Sequence, residues 1–521
     1  MNTDRAKWIE KGYKTASFNR AEMLENTKKS PEWVHFGVGN IFRAFICAGA
    51  QKMLDAGAIK TGIVAIEGYD YEIADVLDSN CSVLVTLKAD GNAEKTVIES
   101  ISEILKADTE DKDFEEIKRI FASPSLKLAT FTITEKGYNL KNAGGEYFDD
   151  VKSDFELGEK NPKSYMGKLT ALLLHRFKNG AYPLALVSMD NCSHNGDRLF
   201  DAVMDFARHR EKDNSGFCEY IKDKVSFPWT MIDKITPRPD PKIEKMLEND
   251  GLKNIAPVRT KKDTFIAPFV NAEECEYLVI EDSFPNGRPD FSAAGFILTD
   301  RETVEKTEKM KVCTCLNPLH TALAIFGCLM GYTLIAKEME NPYLKKLCEK
   351  IGYDEGLPVC TNPKILSPKD FLNDCITRRI SNPYMPDTPQ RIATDTSQKL
   401  AVRFGETISA YARLGRQSEL KYIPLVLAAW LRYLLGIDDS GERFEISPDP
   451  KIDSLCAYMS KIKLGDCVSA DDLKELLEDE SIFGVNLFKV GMDKKVVNYF
   501  NELNSGTGSV KKTLMHAIDN S

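Results

Sequence analysis

Residues 33–43 read Trp33-Val34-His35-Phe36-Gly37-Val38-Gly39-Asn40-Ile41-Phe42-Arg43. A short strand candidate, Trp33 to Phe36, runs into two glycines and then into Arg43 to Ala56, a stretch with helical periodicity. A strand, a glycine turn and a helix in direct succession are the context a dinucleotide site needs. Glycines let the backbone turn tightly and approach a pyrophosphate, while a helix N-terminus offers unpaired N–H groups and a positive dipole end. Gly37, Gly39, Asn40 and Arg43 are therefore candidate cofactor-binding residues. The third glycine of a GxGxxG pattern is absent, because position 42 is Phe, so a turn with only a packing role also fits. The next strand candidate, 61–67 (TGIVAIE), ends on Glu67, somewhat later than the roughly 20-residue spacing usual for a ribose-binding acid. A carboxylate there is placed to accept from the adenosine ribose hydroxyls and to disfavour a 2′-phosphate. Asp70 competes for that role, and a solvated loop acid is the bland alternative.

Outward from this turn, strand-like and helix-like stretches alternate. Strand candidates lie at 81–88, 127–134 and 182–188, with helical stretches at 111–121 and 164–179 between them. Such alternation predicts a parallel sheet covered on both faces. After about residue 300 strand signals become scarce, and 318–339, 398–414, 422–435 and 470–477 read as helices. The expected fold is an α/β Rossmann-type N-terminal domain, residues 1–290, followed by a mostly α-helical C-terminal domain, 291–521. The Pro- and Gly-containing stretch Ser283 to Pro289 supplies the expected junction.

The chain has 521 residues, 43% hydrophobic and 28% charged, which describes an ordinary soluble globular protein. Its net charge of −10 argues against a general nucleic-acid binder without excluding a local basic pocket for an anion. The first ten residues are polar and charged, with no signal-peptide core. No apolar run is long enough to be read as a membrane span, since 422–435 is interrupted by Arg432. Thirteen cysteines without a framework fit reduced thiols and a cytoplasmic location. Cys313 and Cys315 read as core thiols. The six histidines show no HExxH or other short pairing, so no metal site is expected.

Four further segments narrow the reading: 189–197 (MDNCSHNGD), 227–237 (FPWTMIDKITP), 279–289 (VIEDSFPNGRP) and 316–320 (LNPLH). Together with the opening turn and 134–138 (TEKGY), they resemble the long-chain polyol dehydrogenase family, whose members include mannitol 2-dehydrogenase, fructuronate reductase and tagaturonate reductase. The resemblance runs through most of the chain in the family's order. Around Asp233, Ile232 stands where Val is usual and Lys234 where Arg is usual. Lysine cannot reproduce a bidentate arginine contact.

The resemblance implies a Rossmann-type domain, a helical substrate domain, an active site between them, NAD as cofactor and no zinc. It implies Lys311 as general acid/base, Asn191 and Asn317 on the reacting oxygen, and His320 against the substrate. Asp233 would belong to the same polar site and Glu308 to the proton path. Arg391 and Lys399 match family residues that touch substrate. One departure stands out: Lys311 lies six residues before Asn317, where the family has five. An added residue on a regular helix rotates the lysine by about 100°. Either a break at Asn317, a good cap before Pro318, or a π-bulge would absorb it. Lys309 is the fallback base.

The chemistry stands on its own terms. Hydride transfer from an alcohol requires a base within reach of the hydroxyl proton, and lysine serves if burial or neighbouring cations, such as Arg391 and Lys399, lower its pKa. Two side-chain amides on the same oxygen stabilise developing negative charge. Asn317 and His320, three apart, share one helix face. Each residue singly also has a plain structural reading: a surface lysine, a helix cap, a core histidine, turn chemistry at Asp190-Asn191. Within the family, the expected reaction is reduction of D-fructuronate to D-mannonate with NADH, and its reverse. A carboxylate substrate wants an arginine fork, for which Arg391 and Arg379 are candidates. Mannitol and tagaturonate are the alternatives, and a catalytically silent dinucleotide-binding sensor is the reading from another class. The oligomeric state stays open.

Overall fold

The computed structural model describes residues 5–77, 81–158 and 160–520. The chain divides into two compact units, residues 1–87 with 92–305, and 88–91 with 306–521. The division falls inside the helix Arg301–Met310, later in the chain than the Ser283 to Pro289 junction. Residues 1–4 of the polar N-terminal stretch lie outside the described residues.

The first unit contains β1 (Trp33–Phe36), β2 (Ile63–Glu67), β3 (Ser82–Leu87), β4 (Ala93–Ile98), β5 (Ile101–Lys106), β6 (Leu128–Phe131), β7 (Leu184–Ser188), β8 (Val225–Ser226) and β9 (Thr230–Asp233). It continues with β10 (Val258–Arg259), β11 (Phe265–Ile266), β12 (Phe269–Glu273), β13 (Tyr277–Glu281) and β14 (Ile297–Thr299). Six of these form one parallel sheet in the order β5-β2-β1-β6-β7-β8. The chain leaves β1 toward one edge, through β2 and β5, and then returns to its other side through β6, β7 and β8. The order therefore reverses at β1 and β6, and ligands of such sheets bind at the carboxyl ends beside that point. β1, β2, β6 and β7 are buried along their whole length, as a sheet covered on both faces requires.

The 81–88 strand does not join this sheet. As β3 it lies in a second sheet, β12-β3-β4, parallel to β12 and antiparallel to β4. A third sheet, β14-β13-β9, carries Asp233 at the end of β9.

The second unit is helical. Its helices Asn317–Leu329 and Tyr422–Tyr433 are almost wholly buried. Arg432, which interrupts the apolar run in the sequence, is also buried, with its guanidinium on the carbonyls of Ile437 and Asp438. Among the described residues one helix, Arg301–Leu329, is long and apolar enough by length and composition to cross a membrane, and 83% of its apolar window is buried inside the protein. The sequence scan does not register it because a charged first third precedes the apolar part.

Candidate active site

The glycine turn follows β1 at the carboxyl edge of the parallel sheet. Gly37 has φ +96°, and a Cβ there would lie 2.4 Å from the Thr132 carbonyl oxygen, so only glycine fits. Its N–H donates to Ile66 O at 2.9 Å. Gly39 is different: a Cβ there would meet nothing within 4 Å. Among the described residues nothing accepts from the N–H groups of Gly39 and Asn40. Open space beside unpaired amides at a helix start fits the diphosphate of a dinucleotide.

The polar side chains around this turn are engaged with the protein itself. Glu67 is buried, and its two oxygens accept from the N–H groups of Val38, Tyr69 and Asp70 at 2.9 to 3.1 Å. It thus ties the turn to the end of β2 instead of standing open to a ribose. Burial raises its pKa against the lowering effect of those three donors. Asp70, the competing acid, is buried and accepts from Thr260 Oγ1 at 2.6 Å. Arg43 is engaged in the same way. It lies buried beneath the turn and donates to Ser82 Oγ, Ala267 O and Asn40 Oδ1. Burial brings its pKa down to about 9. The Asn40 amide nitrogen reaches Pro237 O. A π turn, Phe42–Ile46, opens the following helix, and Phe42 stacks on buried His35 at 4.1 Å.

The 189–197 motif divides in the same way. Asp190 accepts from the Ile133 and Thr134 N–H groups and from Tyr138 Oη, holding Thr134 at φ +66°. Asn195 joins the end of β7 to β9, donating to Asp190 O and Thr230 and accepting from Thr230 N. Gly196 passes so close to Phe227 O that a Cβ would sit 2.4 Å from it. Asn191 is exposed, as are Ser193 and His194. Asp233 is buried at the end of β9, and the Lys234 ammonium is paired with Glu276 at 2.9 Å.

In the second unit, the helix ending at Met310 continues into a π turn, Lys311–Cys315, and resumes as an α-helix at Asn317. The Leu316 N–H donates to Lys311 O at 3.1 Å, an i to i−5 bond. A π turn holds about one residue more than an α turn, which is the accommodation expected for the six-residue spacing from Lys311 to Asn317. Lys311 is 3% exposed, whereas Lys309 is exposed. Glu308, Asn317 and His320 are half-buried. The turn packs against two further π turns, Lys350–Gly356 and Ala401–Gly405. Gly356 permits the first contact, since a Cβ there would lie 2.8 Å from the Thr314 methyl.

The basic stretch lies in the same unit. Arg391 is exposed and paired with Asp387. The Lys399 ammonium donates to the carbonyls of Ile392 and Thr394. Burial, then the charges of Arg403 and Arg391, lower its pKa. Arg379 is 2% exposed within the π turn Cys375–Arg379.

With this geometry in place, the likeness to known proteins becomes specific. Residues 31–293 match the mannitol dehydrogenase Rossmann domain, and 303–503 match the mannitol dehydrogenase C-terminal domain. The D-mannonate oxidoreductase of Thermotoga maritima is 50% identical, over 99% of this chain and 97% of that protein. The mannitol 2-dehydrogenase of Emericella nidulans is 30% identical over 87% of this chain and 86% of its own. This chain belongs to the mannitol dehydrogenase family. Among solved structures, the Pseudomonas fluorescens mannitol 2-dehydrogenase in ternary complex with NAD and D-mannitol aligns over the whole of both chains, with TM-score 0.71 and 26% identity. A substrate-free D-sorbitol dehydrogenase, 23% identical with TM-score 0.79 over 99% of this chain and 100% of that one, shares the fold.

Membership in the mannitol dehydrogenase family fits the separation of roles seen in the motifs. Within the first unit, Gly37, Asn40, Arg43, Glu67, Asp190 and Asn195 shape backbone, leaving Gly39 and Asn191 at open positions. Within the second, Lys311, Asn317 and His320 follow one another along a single helix. Sequence reasoning missed Arg403 and Thr321. The Arg403 Nη1 donates to Thr321 Oγ1 at 2.5 Å, and Thr321 Oγ1 donates to Asn317 O at 3.0 Å. The available signal was Arg403 four residues after Lys399, the spacing that puts two side chains on one helix face. Among the described residues no group of three or more His, Cys, Asp or Glu side chains is placed to hold a metal ion.

Proposed function

We propose that this protein interconverts D-fructuronate and D-mannonate with NAD as the hydride carrier. The observation that carries this reading is the 50% identity to a D-mannonate oxidoreductase over nearly the full length of both chains. It is supported by a buried lysine on a helix that leads through a π turn to Asn317 and His320.

NAD held at the glycine turn would supply the hydride acceptor for oxidation and, as NADH, the hydride for reduction. Gly39 and the amides beside it would hold the diphosphate. Lys311 takes the hydroxyl proton as the alcohol is oxidised and returns it to the oxygen as the ketone is reduced. The side-chain amides of Asn191 and Asn317 donate to that oxygen and stabilise the negative charge it develops. His320 and Asp233 fix the neighbouring hydroxyls, and Arg391 and Lys399 contribute positive charge toward an anionic substrate. Glu308, one helical turn before Lys311, passes the proton toward solvent. Glu67 and Arg43 act indirectly, by holding the turn in shape.

The test follows NADH absorbance with D-fructuronate, D-tagaturonate and D-fructose, each with and without a chelator. The expected result is fastest turnover of fructuronate, unchanged by chelator. Preference for tagaturonate or fructose would move the assignment to another branch of the family. NADH binding with no turnover of any of the three would favour a silent dinucleotide binder.

A further inference from the structure

We propose that Arg403 is the residue that receives the substrate carboxylate and so selects sugar acids over neutral sugars. The inference rests on the sugar-acid reading above and names the contact that would enforce it. Arg391 and Arg379 are the arginines the sequence offers for that task, and the structure brings forward a third. Arg391 is exposed and already paired with Asp387. Arg379 is 2% exposed, on the π turn Cys375–Arg379.

Arg403 differs from both. It is half-buried, and among the described residues no carboxylate pairs with it; its one hydrogen bond is from Nη1 to Thr321 Oγ1 at 2.5 Å. That leaves the edge formed by Nε and Nη2 without a protein acceptor. Two parallel N–H groups on one edge match the two oxygens of a carboxylate. The location fits as well. Thr321 follows His320 directly and donates to the carbonyl of Asn317, so Arg403 is one hydroxyl removed from the helix turn bearing two expected substrate contacts. Lys399 lies four residues earlier on the same helical stretch, close enough that the Arg403 charge helps lower its pKa after burial. The π turn holding Arg403 packs against the π turn holding Lys311.

Energetics point the same way. Burial lowers the Arg403 pKa to about 10. A guanidinium withdrawn from water beside a second cation, with a hydroxyl as its only partner, is an unfavourable arrangement in the free protein. An anionic ligand relieves it, whereas a neutral polyol of the same shape does not.

The test compares wild type with Arg403→Gln and Arg403→Lys. Steady-state kinetics with D-fructuronate are run beside inhibition by D-mannonate and by uncharged D-mannitol, with NADH affinity and Tm as controls on folding. Loss of a charged, bidentate contact is expected to raise the fructuronate KM and the mannonate inhibition constant by about 10- to 100-fold. kcat at saturation should stay within a few-fold, and mannitol inhibition and NADH affinity should hold steady. Arg403→Lys keeps the charge and loses the fork, so an intermediate rise is expected; it also serves if the glutamine variant folds poorly. An unchanged fructuronate KM in both variants, or equal weakening of mannonate and mannitol, would overturn the proposal. Wild-type protein that does not turn over fructuronate would overturn the sugar-acid reading itself, and this inference with it. Normal wild-type turnover with unaffected variants would remove only the role of Arg403.

Discussion

The glycine turn of the first unit and the π turn of the second use opposite strategies. In the turn, conspicuous side chains brace backbone: Glu67 receives three N–H groups, and Arg43 reaches from the turn to Ser82 and Ala267. What is left open is backbone and the absence of a Cβ at Gly39. In the π turn the backbone is the irregular element, and the proposed chemistry rests on side chains. One added residue is taken into the helix so that Lys311 stays buried. The lesson is that a charged residue beside a glycine turn can be a brace, while an odd spacing along a helix can be accommodated by its geometry.

The largest effect that would sharpen this contrast concerns the two amides. Asn191→Ala and Asn317→Ala should each lower kcat by about 100- to 1000-fold, the usual loss for one oxyanion donor. NADH affinity, measured by fluorescence titration, should be little changed. A rise in KM alone would assign these residues to binding.

The two glycines come next. Gly37→Ala should cost about 2–4 kcal/mol of stability, because a positive φ and a contact 2.4 Å from Thr132 O act together. Gly39→Ala should leave denaturant stability nearly unchanged and weaken NADH binding about tenfold or more. Equal stability losses at both positions would break the distinction between a packed and an open glycine.

Two buried glutamates give a comparison of opposite sign. Glu67→Gln places an amide NH2 against backbone donors and should destabilise by about 1–3 kcal/mol. Glu338 is fully buried, has no hydrogen-bond partner on either oxygen, and burial pushes its pKa from 4.5 up to about 9. It sits against Gly327, where a Cβ would lie 2.2 Å from Glu338 Oε1. The folded protein keeps this proton to higher pH than the unfolded chain does, so stability is full below about 4.5 and falls as pH rises to about 9. By pH 7 the loss amounts to about 3 kcal/mol. Glu338→Gln removes it, so the gain in Tm should be small near pH 5 and larger near pH 8. A pH-independent difference would mean that the carboxyl is not held neutral.

The path from residues to fold was open where local pattern and burial coincide. β1 and the strands 63–67, 128–131 and 184–188 are mostly apolar and buried along their length, and strand–helix alternation marks them as one parallel sheet. The β3 strand was visible, but its departure into a separate sheet was not, because its partner β12 lies far along the chain. The π turn was readable only through spacing, as an odd residue needing accommodation. The bracing contacts of Glu67 and Arg43 were not legible, because sequence shows a charge and its distance along the chain, not which backbone amides or carbonyls surround it. Arg403 was passed over for the complementary reason: its distinguishing feature is that no carboxylate pairs with it among the described residues, which is visible only in three dimensions.

The most direct test of the π-turn account compares Lys311→Ala with Lys309→Ala in fructuronate reduction, adding small primary amines to each. The predicted result is that Lys309→Ala keeps near wild-type kcat, while Lys311→Ala loses about 100- to 10,000-fold and regains turnover in proportion to added amine. Full activity in Lys311→Ala, or a matching loss in Lys309→Ala rescued by amine, would contradict it.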